Sequence, residues 1–572
     1  MRWNAELSRC ASIRSCFIVA CWVMMGPSAG AQTSADPMWT VREGQLTAGL
    51  SHADETVVAE PIVAAPPVYQ MMEPRFDWRK VPKTRPVPRS GFFQVPPTGP
   101  GYYSLLDVLQ ENERSGPPKY PYPRTSAIFP GFFDADNFSY LDDPKNTEHD
   151  VFDPLKRIHL GDNWLLTTGG EIRNRYQNAY NDRFGTSNNL YDLTRLRVYG
   201  DVWYRDEFRL FAEYIGAWTA HQDLAPQSID RQYSGIENLF TDIKVADGDG
   251  SPAYVRIGRQ ELLMGSQRLI STLDWANTRR TFQGVRAFRQ TEDWDVDLFW
   301  VQPVIPTTNR PSSPTDGTGF NSVDNNQNFV GAWSTYRPAE GKAIDAYYLM
   351  LDNTNYYVQQ GIPKGRFTLH TFGGRYYGNV GDFLYDTESA IQFGSQNGRD
   401  ALAGMTSNGL GWKFSEFRWD PTVWGYYDYA TGGNPIDGTA HTFNQLFPFG
   451  HNYLGWIDLI GRQNIQDLNF HLYLYPAKWL TAWIQYHNFW LADKSDALYQ
   501  TGGNVVRFDP TGRSGSHVGQ ELDFVFNIHL SKHADVLTGY SHLWGGEFLK
   551  NTASSTNAVD GGLYYLQFSY KW

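Results

Sequence analysis

The chain has 572 residues, which is too long for one ordinary globular domain but is a length that a single large barrel can use. Only 41% of the residues are hydrophobic, and past the N-terminus no apolar run is long enough to cross a bilayer as a helix, so the composition excludes a helical membrane protein. The formal net charge of −12 argues against a partner of nucleic acid, while the 15% aromatic content suits the interfacial girdles of a membrane β-barrel.

Residues 1–31 have the pattern of a secretory signal peptide. Three arginines precede an apolar run, Cys16–Met25, and a small-residue cleavage site, Ala29-Gly30-Ala31, follows it. All three cysteines of the chain lie in this segment, so cleavage leaves no thiol to mispair in an oxidising compartment. Lipid attachment at Cys21 is the alternative, but it leaves an apolar core of about five residues instead of the usual ~7–15, and we favour cleavage after Ala31.

Residues 32–157 are rich in proline, with fourteen prolines between Pro61 and Pro123. Proline cannot donate to a sheet ladder and breaks helix interiors, so we expect an extended, mostly irregular periplasmic segment. One short helix is predicted over Ser104–Arg114. An arm, a partial plug, a tether for a partner and a passive linker all fit this composition, and we expect the following domain to insert in a membrane without residues 32–150.

Two segments after Asn163 alternate between charged and apolar side chains with period two, which predicts β-strands with two different faces. The charged positions are Glu171, Arg173, Arg175, Arg195, Arg197 and Asp201, followed by Arg209 on the third predicted strand and Arg256 on the fifth. The positions between them, such as Ile172 and Leu196, are largely apolar.

Arginine is concentrated between residues 256 and 289, an interval without lysine, in a chain that has 35 arginines and 14 lysines. The arginines of this interval are Arg256, Arg259, Arg268, Arg279, Arg280, Arg286 and Arg289. A guanidinium group stays charged, is weakly hydrated and offers a planar fork that matches a carboxylate. A wall built in this way suits a ligand that carries a carboxylate on each of its units.

The rest of the chain repeats strands of about ten residues, joined alternately by short turns and long polar loops. Short turns are predicted near residues 205–207, 290–293, 338–341, 379–381, 476–478 and 531–533, and long loops at 180–191, 219–236, 304–326, 352–366, 395–408, 430–464, 491–516 and 546–561. If 430–464 is one loop, so that Leu454–Ile460 is not a strand, the count is 18 strands with both chain ends on the short-turn side.

The last stretch, Gly562–Trp572, places five apolar or aromatic residues at alternate positions, from Tyr564 to Trp572. A transmembrane β-barrel needs such a face because one side of each strand meets lipid; an ordinary sandwich strand is the alternative. The final aromatic residue resembles the signal by which outer-membrane barrels are recognised, which implies the barrel-assembly machinery as a partner. We predict an all-β fold, an 18-stranded antiparallel β-barrel over residues 158–572, embedded in bacterial outer-membrane lipid.

The charged faces of the early strands are predicted to line the lumen of this barrel. An arginine on the lipid face near mid-membrane costs about 2–4 kcal/mol, and several on one face would be prohibitive. Interior salt bridges are the alternative to ligand binding, and the carboxylates that could form them are Glu171, Asp201, Glu213, Glu261, Glu521 and Asp523. Both can hold, because a channel needs binding weak enough for its ligand to leave.

Four segments resemble the alginate export family of outer-membrane porins. They are 169–176 (GGEIRNRY), 255–271 (VRIGRQELLMGSQRLIS), 274–286 (DWANTRRTFQGVR) and 461–467 (GRQNIQD). The resemblance covers about residues 158–572 and is densest over 255–286. It implies a monomeric, 18-stranded barrel whose arginine-lined pore exports an anionic polysaccharide, alginate or a similar polyuronate. The proline-rich extension departs from the best-known member, so periplasmic export proteins are a partner class that the resemblance leaves open.

Two other function classes share parts of this pattern. A general anion-preferring porin for small solutes has the same architecture and differs only in whether the arginines select a particular anionic ligand. An outer-membrane enzyme would need a coupled nucleophile and base; His471, His487 and His529 are predicted to point inward, but no Gly-x-Ser-x-Gly signature accompanies them, and we predict no enzyme.

No cofactor is expected from the sequence. Asp247-Gly-Asp-Gly250 has the beginning of a calcium-loop pattern, but the acidic residue that such loops carry further on is missing. A tight turn explains the same four residues equally well.

Overall fold

The computed structural model describes residues 76–82, 91, 93–120, 138–248, 250–306 and 322–572. The predicted signal peptide, with Cys21 and the cleavage site after Ala31, lies outside the described residues. The chain divides into two compact units, Met1–Glu73 and Pro74–Trp572, and all described residues belong to the second. None of the helices formed by the described residues is long and apolar enough to span a bilayer.

The described residues form 21 β-strands and two short α-helices. The strands are β1 Ile158–Leu160, β2 Trp164–Tyr180, β3 Asn189–Tyr204, β4 Phe208–Ala220, β5 Gln232–Ala246, β6 Ala253–Gln260, β7 Phe282–Gln290, β8 Trp294–Pro303, β9 Gln327–Ala339, β10 Lys342–Gln359, β11 Ile362–Val380, β12 Phe383–Gln396, β13 Arg399–Lys413, β14 Thr422–Ala430, β15 Ile465–Ala477, β16 Leu480–Leu491, β17 Leu498–Tyr499, β18 Val505–Arg507, β19 His517–His529, β20 Ala534–Gly545 and β21 Gly561–Lys571. The helices are α1 Leu105–Leu109 and α2 Glu547–Asn551.

Eighteen of these strands close into one antiparallel barrel. Each of β2 to β15 pairs with the next strand in the sequence, β16 pairs with β19, and β19, β20 and β21 continue to the seam, where β21 pairs with β2. The short strand β1 pairs with the beginning of β2, and β17 and β18 form a separate hairpin. The predicted count of 18 strands is confirmed, as is Leu454–Ile460 as part of a loop, since no strand lies between Ala430 and Ile465.

Side-chain exposure alternates along the barrel strands as predicted. In β21 the outward residues Tyr564, Leu566 and Phe568 are 41–44% exposed, while Tyr565 between them is completely buried. The period of two therefore places an apolar surface outside the barrel and a mostly polar surface inside, which is the arrangement that a barrel in lipid requires.

This outward face supplies a direct stability test. Leu566→Arg is expected to lower the free energy of unfolding by about 2–4 kcal/mol, because the charge would lie on the lipid face near the middle of β21. Urea unfolding in lipid vesicles measures the change. Ser554→Arg, in the exposed loop before β21, is the matched control and should leave stability unchanged; an equally stable Leu566→Arg barrel would contradict a lipid-facing β21.

Two of the predicted long loops are wrong. Strands β10 and β11 are joined by the turn 360–361, and β12 and β13 by the turn 397–398, so the predicted loops 352–366 and 395–408 are mostly strand. In both turns the two residues have positive φ, with Gly361 at +83° and Gly398 at +78° as the second. Such a residue-glycine pair forms the tight hairpin turn whose twist matches that of the strands.

A long loop that was not predicted, residues 261–281, joins β6 to β7. This loop and the loop 431–464 fold into the barrel, where Trp275 and Trp456 belong to the same buried cluster as inward residues of the wall. Trp456 lies 5.5 Å from the ring of Trp483 on β16 and is stacked 5.9 Å from Tyr565 on β21. The middle of the lumen is therefore occupied by the protein's own loops.

The described part of the proline-rich extension lies against the end of the barrel that carries the short turns, called the short-turn end below, except that Gly91 and Phe93 reach into the lumen. Helix α1 begins after Ser104, whose side chain accepts a hydrogen bond from the Asp107 amide, and it ends earlier than predicted because residues 110–114 fold back to pair Arg114 with Gly101. Among the contacts with the barrel, the Leu106 amide donates to the carbonyl of Leu530 at 2.9 Å.

A second anchor of the extension is Asp150. Its carboxylate pairs with Lys532 at 2.5 Å and with His533 at 2.8 Å, both in the turn between β19 and β20. Burial raises the pKa of Asp150, but the hydrogen bonds from Lys532, the Phe152 amide and His533 outweigh it and hold that pKa below its usual value. The expectation that the barrel inserts without residues 32–150 stays a prediction.

Candidate functional site: the charged inner wall

The ten predicted site residues lie together on one side of the barrel interior. Arg173 and Arg175 are on β2, Arg195, Arg197 and Asp201 on β3, Arg209 on β4, Arg256 and Arg259 on β6, and Arg279 and Arg280 at the end of the loop 261–281. Eight of them are buried, and Asp201 and Arg280 are half-buried. The antiparallel register sets Arg173 opposite Arg195 and Glu171 opposite Arg197, so the period-two pattern of two strands becomes one cluster.

Ion pairs hold the centre of this wall. Arg195 pairs with Glu171 at 2.7 Å and with Asp274 of the inward loop at 2.8 Å. Arg197 pairs with Glu213 at 2.6 Å and lies within 4 Å of both Glu171 and Glu261. Arg279 donates to Glu261 and to Asp274. These three arginines therefore form interior salt bridges, which the sequence analysis gave as the alternative to ligand binding.

A second ladder of ion pairs lies nearer the short-turn end. Arg209 donates to both carboxylate oxygens of Asp201, at 2.7 and 2.9 Å, and lies 3.6 Å from Asp242. Arg256 donates in the same forked way to Asp242, at 2.7 and 2.9 Å. The paired geometry matches the guanidinium fork to a carboxylate, so Asp201 serves here as a partner of an arginine.

Two arginines are bonded to the backbone of the inward loop. Arg173 donates to the carbonyl oxygens of Asp274 and Ala276, both at 2.7 Å. Arg175 donates to the carbonyl of Trp275 at 2.7 Å, and its guanidinium carbon lies 3.8 Å from the centre of the Trp275 ring. Within the described part of the chain no carboxylate lies within 4.0 Å of Arg175, so neutral acceptors hold its charge.

The two remaining arginines of the prediction also contact carbonyl oxygens. Arg280 donates to the carbonyl of Pro448 in the second inward loop at 3.1 Å. Arg259 donates to the carbonyl of Ile236 at 3.2 Å. Arg280 thus joins the two inward loops to each other, while Arg259 joins β6 to β5 within the wall.

The far end of the loop 261–281 is fixed by residues that were not among the predicted site residues. Arg268 pairs with Asp386 at 2.7 Å and with Glu388 at 2.9 Å, and Arg375 pairs with Asp386 at 2.5 Å. All four groups are buried on the wall formed by β11 and β12. The loop thus crosses the lumen from the arginine wall to this wall. The contact with Arg268 could have been inferred from the sequence, because the period-two pattern places Arg375, Asp386 and Glu388 on the inward face.

The wall formed by β15, β16 and β19 carries carboxylates and histidines. His471, His487 and His529 are buried and inward, as predicted. His487 lies 2.8 Å from Asp467 and 3.9 Å from Asp523. Asp523 and Glu521 were expected to neutralise arginines, but in the described part of the chain neither carboxylate pairs with one, and Glu521 instead accepts a hydrogen bond from the Ile457 amide at 3.0 Å.

The interior as a whole has no surplus of positive charge. Among the described residues, eighteen carboxylates are buried, against twelve arginines and two lysines. Any preference for anions must therefore come from where the arginines lie along the path and not from the total charge of the lumen.

The residues considered for calcium do not form a recognisable site in the part that the structure describes. Asp247 pairs with Lys244 at 3.2 Å, and Asp249 lies outside the described residues. No group of three or more histidine, aspartate or glutamate side chains in the described ranges is arranged to hold a metal ion.

Comparisons with known proteins identify one matching family and several similar solved structures. The profile of the alginate export family matches residues 164–561. No curated protein matches the chain. Similar solved structures include OpdO of Pseudomonas aeruginosa, with 13% identity, TM-score 0.45 and coverage of 71% of this chain and 97% of that chain. OprD of the same species has 12% identity and a TM-score of 0.46, and the match covers 71% of this chain and 94% of OprD. OccAB2 of Acinetobacter baumannii has 9% identity and a TM-score of 0.46, and the match covers 71% of this chain and 98% of OccAB2. At this level the structural similarities carry no argument about what the chain transports.

The family match includes the densest part of the resemblance, 255–286, which forms β6, the first inward loop and the beginning of β7. It also spans the barrel from the first residue of β2 to the first residue of β21. The chain belongs to the alginate export family and is a β-barrel channel of the bacterial outer membrane.

Proposed function

We propose that this channel exports an anionic polysaccharide, alginate or a similar polyuronate. The observation that carries the proposal is the contact of Arg173 and Arg175 with the carbonyl oxygens of residues 274–276, in a chain of the alginate export family. These guanidinium groups face the lumen and are held by a loop that blocks it.

The chemistry of this contact favours exchange with a polymer. A hydrogen bond from a guanidinium group to a carboxylate is shorter than a bond to a neutral carbonyl oxygen and roughly twice as strong. Carboxylates of a polyuronate would therefore replace the carbonyl oxygens of the loop as better acceptors. Displacement of the loop 261–281 would widen the path along the arginine wall and expose Arg173 and Arg175 at the same time.

The surrounding ion pairs keep the exposed charges in place. Arg195 and Arg197 are tied to Glu171 and Glu213, which fixes the orientation of β2 and β3 side chains around the path. A narrow passage with low-dielectric walls concentrates the field of the charges nearest to it. Local arginines can thus bias the passage of anions although the lumen as a whole is not positively charged.

Selectivity measurements in planar bilayers test this proposal. The wild-type pore is expected to prefer chloride over potassium and to be blocked by oligouronates but not by neutral oligosaccharides. Arg173→Ala combined with Arg175→Ala should weaken both the preference and the block, because it removes the two charges that the carbonyl oxygens of the loop hold. Arg195 and Arg197 are less suitable, since their removal also leaves buried carboxylates unpaired.

Arg418→Ala is the matched control, because Arg418 is exposed in the turn between β13 and β14, far along the barrel wall from β2. It should leave selectivity and block unchanged. A cation-selective wild-type pore, or equal block by neutral and acidic sugars, would reject the polyuronate and leave a general porin for small solutes.

A further inference from the structure

The proline-rich segment 93–100 enters the barrel at the short-turn end. Lys478, in the turn between β15 and β16, donates to the carbonyl oxygens of Thr98 at 2.9 Å and Gly99 at 2.7 Å, and also to that of Pro100. Its ammonium group lies 5.1 Å from the centre of the Tyr103 ring. One lysine thus binds three successive carbonyl groups and fixes the point of entry.

The segment continues to the middle of the lumen. Phe93 is 1% exposed, and its ring meets that of Trp424, an inward residue of β14, edge to face at 5.1 Å. The Trp424 indole donates to the carbonyl of Phe93 at 3.3 Å. The amide of Gly91 donates to the Tyr453 hydroxyl at 2.8 Å. Tyr453 belongs to the loop 431–464, so the segment meets a loop that enters from the other end of the barrel.

The deepest described residue of this segment occupies a tightly fitting position. A Cβ atom on Gly91 would lie 2.7 Å from a carboxylate oxygen of Asp386 and even closer to the guanidinium group of Arg268. These two groups form the buried ion pair that fixes the tip of the loop 261–281. Gly91 therefore lies at the junction of both inward loops and the β12 wall, where a side chain would have to displace this ion pair.

The length and composition of the segment suit a plug that can leave. Eight residues in an extended, proline-type conformation span roughly 25 Å at ~3.1 Å per residue, which is close to the ~25 Å height of the apolar band of a barrel. Pro96 and Pro97 cannot donate to a sheet ladder, and residues 93–98 form no strand. Withdrawal of the segment would thus break side-chain and turn contacts and leave the hydrogen bonds of the barrel wall intact.

We propose that Gly91 and residues 93–98 belong to a releasable plug that closes the passage between the loop 431–464 and the wall of β14 and β15. The passage opens when the segment withdraws toward the short-turn end. This closure does not depend on the identity of the transported solute, so it can hold or fail independently of the polysaccharide proposal.

Gly91→Leu in the full chain is the first test. The added side chain would overlap Arg268 and Asp386 unless their ion pair breaks, so it should unseat the plug and raise the mean conductance in potassium chloride several-fold. Gly116→Leu is the matched control in the same extension, since a Cβ atom there would have no atom within 4 Å and its conductance should equal that of the wild type. Heat-modifiable gel migration shows that each variant is folded.

Labelling of an introduced thiol is the second measurement. All native cysteines lie within residues 1–21, so Val95→Cys gives a mature chain with a single thiol if cleavage follows Ala31. Val95 is partly buried against the core of the barrel, and its cysteine should react slowly with a bulky maleimide. In combination with Gly91→Leu it should react several-fold faster, and with Gly116→Leu at the unchanged slow rate. An unchanged conductance or an unchanged labelling rate in the folded Gly91→Leu protein would overturn the plug.

Discussion

Arg197→Ala is expected to lower the free energy of unfolding of the barrel by about 3–5 kcal/mol, the usual loss when one partner of a buried ion pair is removed. The guanidinium group is completely buried, pairs with Glu213 at 2.6 Å and lies 3.8 Å from Glu171 and 3.9 Å from Glu261. Its loss would leave Glu213 without its ion-pair partner and would remove a second positive charge from beside Glu171 and Glu261. Denaturant unfolding in lipid vesicles, followed by tryptophan fluorescence, measures the difference.

Two comparison variants separate the effect of removing an arginine charge from the effect of breaking a buried ion pair. Arg289→Ala removes an exposed arginine of β7 that donates to the carbonyl of Ser251, and it should change stability by less than about 1 kcal/mol. Replacing both partners, Arg197→Met with Glu213→Leu, should recover part of the loss, because an apolar pair leaves fewer charges uncompensated. A fully stable Arg197→Ala barrel would show that water reaches this cluster.

Trp456→Ala is the second change with a large expected effect, a loss of about 3–5 kcal/mol. The indole is completely buried, and it touches the rings of Trp275, His451, Trp483 and Tyr565 with centroid distances from 4.4 to 5.9 Å. The cavity left behind would lie between the two inward loops. We therefore expect an increase in open-channel noise as well as a lower denaturation midpoint.

Trp300→Ala supplies the comparison, since Trp300 lies on the outer face of β8 and is 49% exposed. It buries far less of its side chain within the protein, so its loss should cost clearly less than that of Trp456 and should leave the channel current unchanged. Equal costs for the two substitutions would mean that the lumen cluster contributes little to the folded barrel.

The barrel itself could be predicted from sequence because its main signal is local. Outward residues such as Leu566 and Phe526 repeat every second position, and this period is visible within a single strand. The two strand pairs misread as loops, around 360–361 and 397–398, lack that signal, because residues 352–355 and 395–400 are polar or glycine and a register shift follows Asn353. The Gln360-Gly361 and Asn397-Gly398 pairs mark the turns where apolar alternation is missing.

The candidate site could be predicted only in part. That Arg173 and Arg195 point inward follows from the lipid on the other face, and the structure places them together. Their acceptors could not be predicted, because the carbonyl groups of residues 274–276 belong to the backbone and leave no mark in the side-chain pattern. The contact also joins positions about a hundred residues apart, which only the path of the loop through the lumen brings together.

The barrel is closed only when β21, the last strand, pairs with β2, the first strand of the ring. Gly170 and Trp572 exchange backbone hydrogen bonds of 3.1 and 3.0 Å across almost the full length of the barrel sequence. A ring of this kind buries its two edges only in its last step, and pairing at such sequence separation is slow. A chain lacking β21 would expose β2 and β20 as unpaired edges that can join other chains. Quality control at the membrane could therefore distinguish finished from unfinished copies by the state of one pair of strands.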